Sequence, residues 1–301
     1  MPRRRSPVLE LADPLSFRDA LERGVGRGRL ASPGLEHPFW GVVRERSEDP
    51  DRDSFLDACV AFAARMPERQ FFSHGTALRL IGAPVPSLFA DEVHVAAHRP
   101  AREPRTRGIT GHRLQTRDRA VRVVRGLRVE DPIRAWRQAG ATWNAMSLTQ
   151  AGDFLIAGRR PFASIDALRH EVDTMGGSPA LRRALRDVRH GSESPRETEL
   201  RLVLAGAGLP EPELNVGLYD AYGAFVARLD LFYRRYRVAV EYDGRQHAND
   251  EVQFRRDADR WDAIRDEGIL HMRILSHHMR DRGRLAVSRV RKALVARGWR
   301  P

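Results

Sequence analysis

The stretch from Asp230 to His247, which reads DLFYRRYRVAVEYDGRQH, constrains the fold of this chain more than any other segment. Its second half passes from an apolar run to two carboxylates, Glu241 and Asp243, just before a glycine. Successive side chains of a strand point to opposite faces, so these two carboxylates share one face. A hairpin around Arg234-Arg235-Tyr236 would place Asp230 beside Glu241. The chain is therefore expected to hold several carboxylates together on one sheet.

Grouped carboxylates repel one another unless a positive charge lies among them. A divalent cation supplies that charge, and hard cations such as Mg²⁺ prefer carboxylate and water oxygens. The pattern therefore predicts a site for Mg²⁺ (or Mn²⁺) that serves phosphodiester chemistry. Two simpler interpretations stay open. Asp230 and Glu241 also fit surface carboxylates of strands, and Asp243 before Gly244 also fits a turn.

Length and composition restrict the class of protein. A chain of 301 residues is expected to form about two domains, and a hydrophobic content of 42% is enough for packed cores. The single cysteine, Cys59, excludes a disulfide framework and a cysteine-based zinc cluster. No apolar run approaches the roughly 18 residues that cross a bilayer. The basic start is followed by acidic residues rather than an apolar segment, so we expect a cytoplasmic protein with no membrane contact.

The net charge of +12 favours a polyanionic partner. Arginine supplies 51 of the 52 basic residues, a skew that is also typical of GC-rich coding sequences. The position of the charge is more informative, because the segment from Arg99 to Arg137 holds 12 arginines against four acidic residues, a net +8. Such a segment predicts salt-dependent binding to DNA phosphates, with Arg105, Arg107 and Arg113 as candidate contacts. An ordinary solvated basic face is the alternative.

The first 190 residues divide into two predicted regions. Two short helices, 54–65 and 74–81, precede a strand at 92–96, an order typical of a winged helix-turn-helix, so residues 1–130 are predicted to be a winged-helix-like DNA-binding region. Residues 131–190 are predicted to be a helical connector. The chain holds scattered histidines in the first region, and their wide spacing predicts no metal cluster; they are His74, His94, His98 and His112.

The last region, residues 191–301, follows a polar break and has a readable order of elements. The predicted strands are 214–219, 225–232, 237–243 and 269–275, and the predicted helices begin after Ser194 and cover 252–267 and 285–296. The resulting order αβββαβα predicts a mixed sheet flanked by helices. The whole chain is therefore expected to be a multidomain protein of mixed α and β structure.

Four motifs in the last region carry a resemblance to a known family. They are Ser194-Pro195-Arg196-Glu197, Leu229-Asp230-Leu231, Glu241-Tyr242-Asp243-Gly244-x-x-His247 and Arg256-Asp257-x-x-Arg260. In this order they resemble the PD-(D/E)XK nuclease superfamily, and in particular its Vsr-like (very short patch repair-like) endonuclease domains. The resemblance covers about a third of the chain and implies a restriction-endonuclease-like core.

The resemblance also implies roles for individual residues. Asp230 and Glu241 correspond to the central metal ligands, and Glu197 to a helical acid that completes the site. Asp243 stands where the superfamily has its lysine, and His247 follows the strand as in the Vsr-like group. Asp243 or His247 would then orient the attacking water. The remaining two motif residues, Arg256 and Arg260, are candidate contacts to DNA phosphates.

Each of these roles has a structural alternative. Glu197 lies three residues after Ser194 and also fits the partner position of a helix capping box. His247 also fits an exposed loop residue, and Arg256 and Arg260 also fit surface ion pairs four residues apart on a helix. The sequence departs from the superfamily at Leu229, where a proline is usual. Since Lys292 is the only lysine, no lysine is available to the site.

A second resemblance concerns the first region. The run Ser73-His74-Gly75-Thr76-Ala77-Leu78, continued by Gly82-Ala83-Pro84-x-Pro86, is similar to the winged-helix region of AbiEi-type antitoxins. It implies DNA binding without catalysis. Two functions are therefore expected: a Mg²⁺-dependent DNA endonuclease-like protein or, alternatively, a DNA-binding regulator or antitoxin-like protein whose nuclease fold is inactive.

Overall fold

The computed structural model of the chain describes residues 13–46, 49, 51–115, 121–243 and 251–301, without the side chains of 251–258. The described residues form helices and three β-sheets, and this mixed α and β character is the one that the sequence predicts. It divides into two compact units, one ending at Ala141 and the other beginning at Thr142. Within the described ranges, no helix combines the length and the apolar character that crossing a membrane requires.

The N-terminal unit contains two sheets. A small sheet has the order β1-β3-β2, and a five-stranded mixed sheet has the order β6-β5-β4-β8-β7. The elements are, in chain order, β1 (Leu15–Ser16), α1 (Phe17–Glu22), α2 (Arg27–Leu30), β2 (Leu35–Glu36), β3 (Val42–Glu45), α3 (Ser54–Ala63), β4 (Gln70–Phe72), α4 (His74–Leu80), β5 (His94–His98), β6 (Thr110–Leu114), β7 (Val121–Val124), β8 (Leu127–Glu130) and α5 (Pro132–Ala139).

The two predicted short helices and the following strand are present as α3, α4 and β5. The connection between the helices differs from a helix-turn-helix, because β4 lies between them and occupies the centre of the five-stranded sheet. Its three residues, Gln70–Phe72, are all buried. A strand of three residues is too short to show a period-two pattern, so the sequence alone did not reveal it. The same reason applies to the small sheet, in which two strands have two residues each.

The C-terminal unit begins with a helical part and ends with a four-stranded sheet. Its elements are α6 (Ala145–Ile156), α7 (Ile165–Met175), α8 (Pro179–Asp187), α9 (Pro195–Gly206), β9 (Glu213–Tyr219), β10 (Phe225–Tyr233), β11 (Val238–Asp243), α10 (Glu251–Asp266), β12 (Leu270–Leu275) and α11 (Arg280–Ala296). From α9 onward the order is αβββαβα, as predicted, and most predicted boundaries agree within one residue.

The sheet of this unit has the order β12-β11-β10-β9. Strands β9, β10 and β11 are antiparallel neighbours, whereas β12 runs parallel to β11. The predicted hairpin is present, with a 3₁₀ turn at Arg234–Tyr236 between β10 and β11. Leucine and valine side chains of α9 and α11 pack against Leu231 and Val240 in one core. A second core joins Ala239 to Ile264 of α10.

The division into units differs from the three predicted regions, whose boundaries lie after residues 130 and 190. Helix α5 belongs to the N-terminal unit, and α6–α8 belong to the C-terminal unit. A buried polar network explains the second assignment. Asp153 of α6 accepts hydrogen bonds from Arg201 (3.0 Å) and Thr198 (2.8 Å) of α9, and from the backbone N–H of Arg189 (2.7 Å). The helices of the predicted connector are therefore part of the C-terminal core.

The pair of Asp153 and Arg201 is 2% and 1% exposed, respectively. Burial raises the pKa of Asp153 above its ordinary value, although Arg201 and the hydrogen bonds act in the opposite direction. A buried carboxylate deprived of its cation is strongly destabilising. The pair also fixes α9 against α6, and α9 carries Glu197 near its first turn. The position of that predicted site residue depends on this network.

We predict that Arg201→Met lowers the free energy of unfolding by about 3–5 kcal/mol, because it leaves Asp153 buried without its cation. Denaturant unfolding followed by circular dichroism measures this change. Arg169→Met is the matched control, since Arg169 forms an exposed pair with Asp166 on α7. The control is expected to cost no more than about 1 kcal/mol. Equal effects of the two substitutions would contradict the proposed importance of the network.

Candidate functional site

Asp230 and Glu241 lie on neighbouring strands and on the same face of the sheet. The adjacent residues Leu231 and Val240 are directly opposite each other in the antiparallel register of β10 and β11. The next pair outward is Asp230 and Glu241, and the backbone N–H of Tyr242 donates to Asp230 Oδ2 at 3.1 Å. Directly opposed residues share a face. The hairpin therefore brings together the two carboxylates that the sequence singles out.

Glu241 is only 6% exposed and faces α10 and β12. Its Oε2 accepts a hydrogen bond from Arg260 of α10 at 3.1 Å and lies 3.0 Å from Nε2 of His271 on β12. Its Oε1 is buried and has no hydrogen-bond partner within the described part of the chain. A buried carboxylate oxygen without a partner is costly. A cation that binds this oxygen would remove that cost.

Glu197 combines a capping role with an interaction at the site. Ser194 Oγ accepts from the backbone N–H of Glu197 (3.1 Å), as predicted for the start of α9. Glu197 Oε2 accepts from the backbone N–H of Glu193 (3.0 Å) and from Nδ2 of Asn215 on β9 (2.8 Å). Its negative charge also acts on Asp230. The Glu197 carboxylate thus bonds the N–H of Glu193, one residue before the Ser194 N–H that a reciprocal capping box uses, while its charge reaches Asp230.

The electrostatics of Asp230 reflect this crowding. Burial raises the pKa of Asp230 from 3.8 to about 7, and the charges of Glu197 and Glu241 add to the increase. The Tyr242 N–H and Arg260 oppose the increase and are outweighed. A carboxyl group with this pKa is protonated in about half of the molecules at neutral pH. The site therefore holds a poorly solvated carboxyl group that lies close to two other carboxylates.

Two further side chains, which the sequence did not single out, complete the surroundings. Arg273 on β12 forms an ion pair with Asp243, and its guanidinium lies 4.1 Å from the ring centroid of Trp261 on α10. In the parallel register Glu241 is opposite Arg273, so His271 and Arg273 point to the face of Glu241. The alternation His-Met-Arg in the predicted strand 269–275 indicates that His271 and Arg273 share one face of that strand. Without the register between β11 and β12, the sequence does not show whether this face is the one that carries Glu241.

A cavity of about 700 Å³ runs along the edge strand β12 beside the site. Its lining is basic and partly aromatic, and includes Trp261, Arg265, His271, Arg273, Arg289 and Arg297. Arginine side chains in a groove attract phosphate groups, and an aromatic ring offers a surface for stacking. The position of this groove next to Glu241 and Asp243 would allow a polyanion to reach the carboxylates.

Several predicted site residues lie elsewhere or outside the described residues. His247 falls outside them, and so does the side chain of Arg256. The arginines of the N-terminal unit are exposed on the loop after β5 and on β6: Arg105 pairs with Glu103, Arg113 donates to the carbonyl of Pro100, and Arg107 lies between them.

The prediction that the histidines are too scattered to form a cluster is wrong for three of them. One possible ligand atom from each of His74, His94 and His112 lies within 4.8 Å of the other two. Residues far apart in sequence meet because β5 and β6 are parallel neighbours and α4 packs against β5. His98 lies apart from this group and contacts the ring of Phe71. Among the described residues, the carboxylates Glu197, Asp230 and Glu241 do not form so close a group.

The histidine rings are partly buried and nearly parallel. The centroids of His74 and His112 are 3.7 Å apart, and His94 Nδ1 lies 2.9 Å from His112 Nε2. Burial lowers the pKa of His74 to about 2 and that of His112 to about 4, and the neighbouring imidazoles contribute to both shifts. These two rings are therefore neutral at physiological pH.

Comparisons with known proteins give no relatives: no family model, no curated protein and no solved structure matches the chain. Function is therefore inferred from the site itself.

We predict that Asp230→Asn raises the thermal unfolding midpoint by a few degrees at pH 8 in the absence of divalent ions. The folded state favours protonated Asp230, because its pKa is raised to about 7. Stability is consequently lost as the pH rises from about 4 to about 7, and the neutral amide avoids this loss. Below pH 4 the difference should vanish. Differential scanning calorimetry across this range measures it, and equal midpoints at pH 8 would contradict the electrostatic description of the site.

Proposed function

We propose that the C-terminal unit is a metal-dependent, DNA-cleaving domain of endonuclease type. The observation that carries the proposal is the opposed pair of Asp230 and Glu241, with Glu197 acting on the same charge cluster. Neighbouring carboxylates in which burial, helped by the other charges, raises a pKa are typical of sites that bind a divalent cation or transfer protons. The order αβββαβα and the sequence motifs support the same conclusion.

The residues fit a Mg²⁺ or Mn²⁺ ion by two criteria. Glu241 Oε1 is buried and has no hydrogen-bond partner in the described residues, and the raised pKa of Asp230 reflects its burial beside two other carboxylates. Asp230, Glu241 and Glu197 would hold the ion through carboxylate oxygens. A bound Mg²⁺ activates water and neutralises charge on a phosphate group.

The other side chains have complementary roles in this proposal. Arg260 and Arg273 remain charged at all physiological pH values, so they can bind phosphate oxygens but cannot accept a proton. They provide the positive charge that a lysine supplies in the superfamily. Asp230, with its pKa of about 7, can hold a proton near neutral pH while no ion is bound, and it would release this proton when it ligates the ion. His271 provides an imidazole at 3.0 Å from Glu241.

The alternative function is a DNA-binding regulator with an inactive nuclease fold. One observation favours it: Arg260 donates to Glu241 Oε2, so the positive charge of an arginine already lies at a carboxylate oxygen that a metal ion would bind. An arginine in this position would compete with a divalent ion. Under this alternative, DNA binding persists while cleavage is absent.

Cleavage of supercoiled plasmid in the presence of Mg²⁺ or Mn²⁺ separates these functions. We expect nicked or linear product from the wild type and a loss of more than about 100-fold in rate for Glu241→Gln, because a ligand carboxylate is removed. Glu199→Gln is the matched control, since Glu199 lies on the same helix as Glu197 and pairs with Arg196. Equal cleavage by wild type and Glu241→Gln would indicate a contaminating nuclease and reject the proposal. Binding without cleavage would establish the alternative.

We further predict that the arginine-rich segment contributes to DNA affinity by neutralising phosphates. The triple substitution of Arg105, Arg107 and Arg113 to alanine should weaken binding of duplex DNA and reduce the slope of log K against log salt by about 0.9 for each phosphate that is no longer neutralised. Fluorescence anisotropy of the full-length chain at increasing salt measures this slope. Arg169→Ala removes one exposed arginine outside the segment and serves as the control. An unchanged slope in the triple variant would mean that these arginines are ordinary surface residues.

A further inference from the structure

We propose that His74, His94 and His112 form a binding site for one divalent transition-metal ion of the zinc class. The site belongs to the N-terminal unit and is independent of the proposed nuclease function. Its ligands come from three separate elements: His74 begins α4, His94 begins β5 and His112 lies within β6. A metal held by all three would connect the edge strand β6 to α4.

The ligand atoms are already close to the spacing that a metal requires. All three lie within 4.8 Å of one another, and His94 Nδ1 is 2.9 Å from His112 Nε2. Zinc–nitrogen bonds of about 2.0–2.1 Å in a tetrahedral site place two nitrogens about 3.3 Å apart. Small side-chain rotations that separate the His94 and His112 nitrogens by a few tenths of an ångström, with a larger movement of His74, would produce that arrangement. The strands that carry the pair need not move.

Two of the three histidines, His74 and His94, hold their second ring nitrogen against the kind of partner that metal-binding histidines usually have. Glu92 Oε2 lies 2.9 Å from Nε2 of His94, and Ser73 Oγ lies 3.0 Å from Nδ1 of His74. A carboxylate or hydroxyl at the outer nitrogen fixes the ring and the tautomer, so the other nitrogen faces the metal. Ser73 precedes α4, but its side chain makes no capping bond to the helix. Its hydroxyl is instead directed to the histidine.

The backbone around the cluster is also fixed. Thr76 Oγ1 donates to the carbonyl of Glu92 (2.9 Å) and accepts from the N–H of His94 (2.7 Å), which joins α4 to the start of β5. Thr76 is 1% exposed. His74 has a left-handed conformation, with φ of 52°, which is uncommon for a residue other than glycine. Such a conformation persists where the surroundings impose it, and it is frequent at ligand sites.

A hydrogen bond between neutral imidazoles accounts for only part of this arrangement. It explains the contact between His94 and His112, since one ring can donate to the other. It does not explain why His74 stacks on His112 at 3.7 Å while its Nδ1 is held by Ser73. Rings whose outer nitrogens are held, as in His74 and His94, present the other nitrogen to the cluster, and a ligating histidine offers a free lone pair there.

The ligand set identifies the class of metal. Imidazole nitrogens favour Zn²⁺, Cu²⁺ and Ni²⁺, whereas Mg²⁺ and Ca²⁺ require oxygen ligands. Three protein ligands leave a fourth tetrahedral position for water or an external ligand. The site therefore differs in chemistry from the carboxylate site of the C-terminal unit, and the two can be tested separately in one protein.

The test is a calorimetric titration of untagged, chelator-treated full-length protein with ZnCl₂ in buffer that contains excess Mg²⁺. We expect one Zn²⁺ per chain, and a loss of affinity of more than about 100-fold in His94→Ala and in His112→Gln. Glu92→Gln should weaken binding by about 10–100-fold, as expected for a residue that orients a ligand. His98→Ala is the matched control, since His98 lies on the same strand outside the cluster and should leave the affinity unchanged.

A second measurement identifies the coordination. Co²⁺ added in place of Zn²⁺ should give the visible absorption of a four-coordinate site, and this absorption should be absent in His94→Ala. Circular dichroism establishes that each variant is folded; if His94→Ala does not fold, His112→Gln decides. Glu241→Gln should retain both signals. Absence of stoichiometric Zn²⁺ binding in the wild type, or unchanged binding in the folded histidine variants, would overturn the proposal.

Discussion

The burial of Asp230 beside the negative charges of Glu197 and Glu241 is the constraint on which the proposed site of the C-terminal unit depends. Three elements bring these charges together: α9, β10 and β11. Burial, helped by the charges of Glu197 and Glu241, raises the pKa of Asp230 to about 7. Arg260 of α10 donates to Glu241, and the ion pair of Asp153 and Arg201 fixes α9 against α6. Holding like charges close together lowers the stability of the folded state relative to an arrangement in which they are spread over the surface. A bound cation would restore that stability.

The cations near the site determine what chemistry the unit can perform. The only lysine of the chain, Lys292, is exposed on α11. The basic side chains that contact Glu241 and Asp243 in the described residues include Arg260, Arg273 and His271. A guanidinium binds phosphate oxygens in a forked geometry and keeps its proton. The proposed active site therefore relies on positioning and charge stabilisation rather than on a basic lysine. This feature also explains why the regulator hypothesis remains the direct competitor of the nuclease hypothesis.

The sequence predicted the C-terminal architecture well because its strands and helices have strong periodic patterns. The alternation in 225–232 and the apolar run before Glu241 led to β10 and β11, and the hairpin placed Asp230 beside Glu241. His271 and Arg273 were missed because their direction depends on the parallel register of β12, which no local pattern encodes. The histidine cluster was missed for the same physical reason. His74, His94 and His112 meet only through long-range pairing of β5 with β6 and the packing of α4.

The ionisation of Asp230, measured directly, tests the central claim. Carbon-13 NMR of the full-length protein, with the Asp230 carboxyl signal assigned by comparison with Asp230→Asn, gives its pKa with and without Mg²⁺. We predict a pKa near 7 in the absence of divalent ions. With saturating Mg²⁺ the pKa should fall below its ordinary range, because the ion favours the charged carboxylate. A pKa near 4 that does not respond to Mg²⁺ would contradict both the crowding of the carboxylates and the proposed metal site.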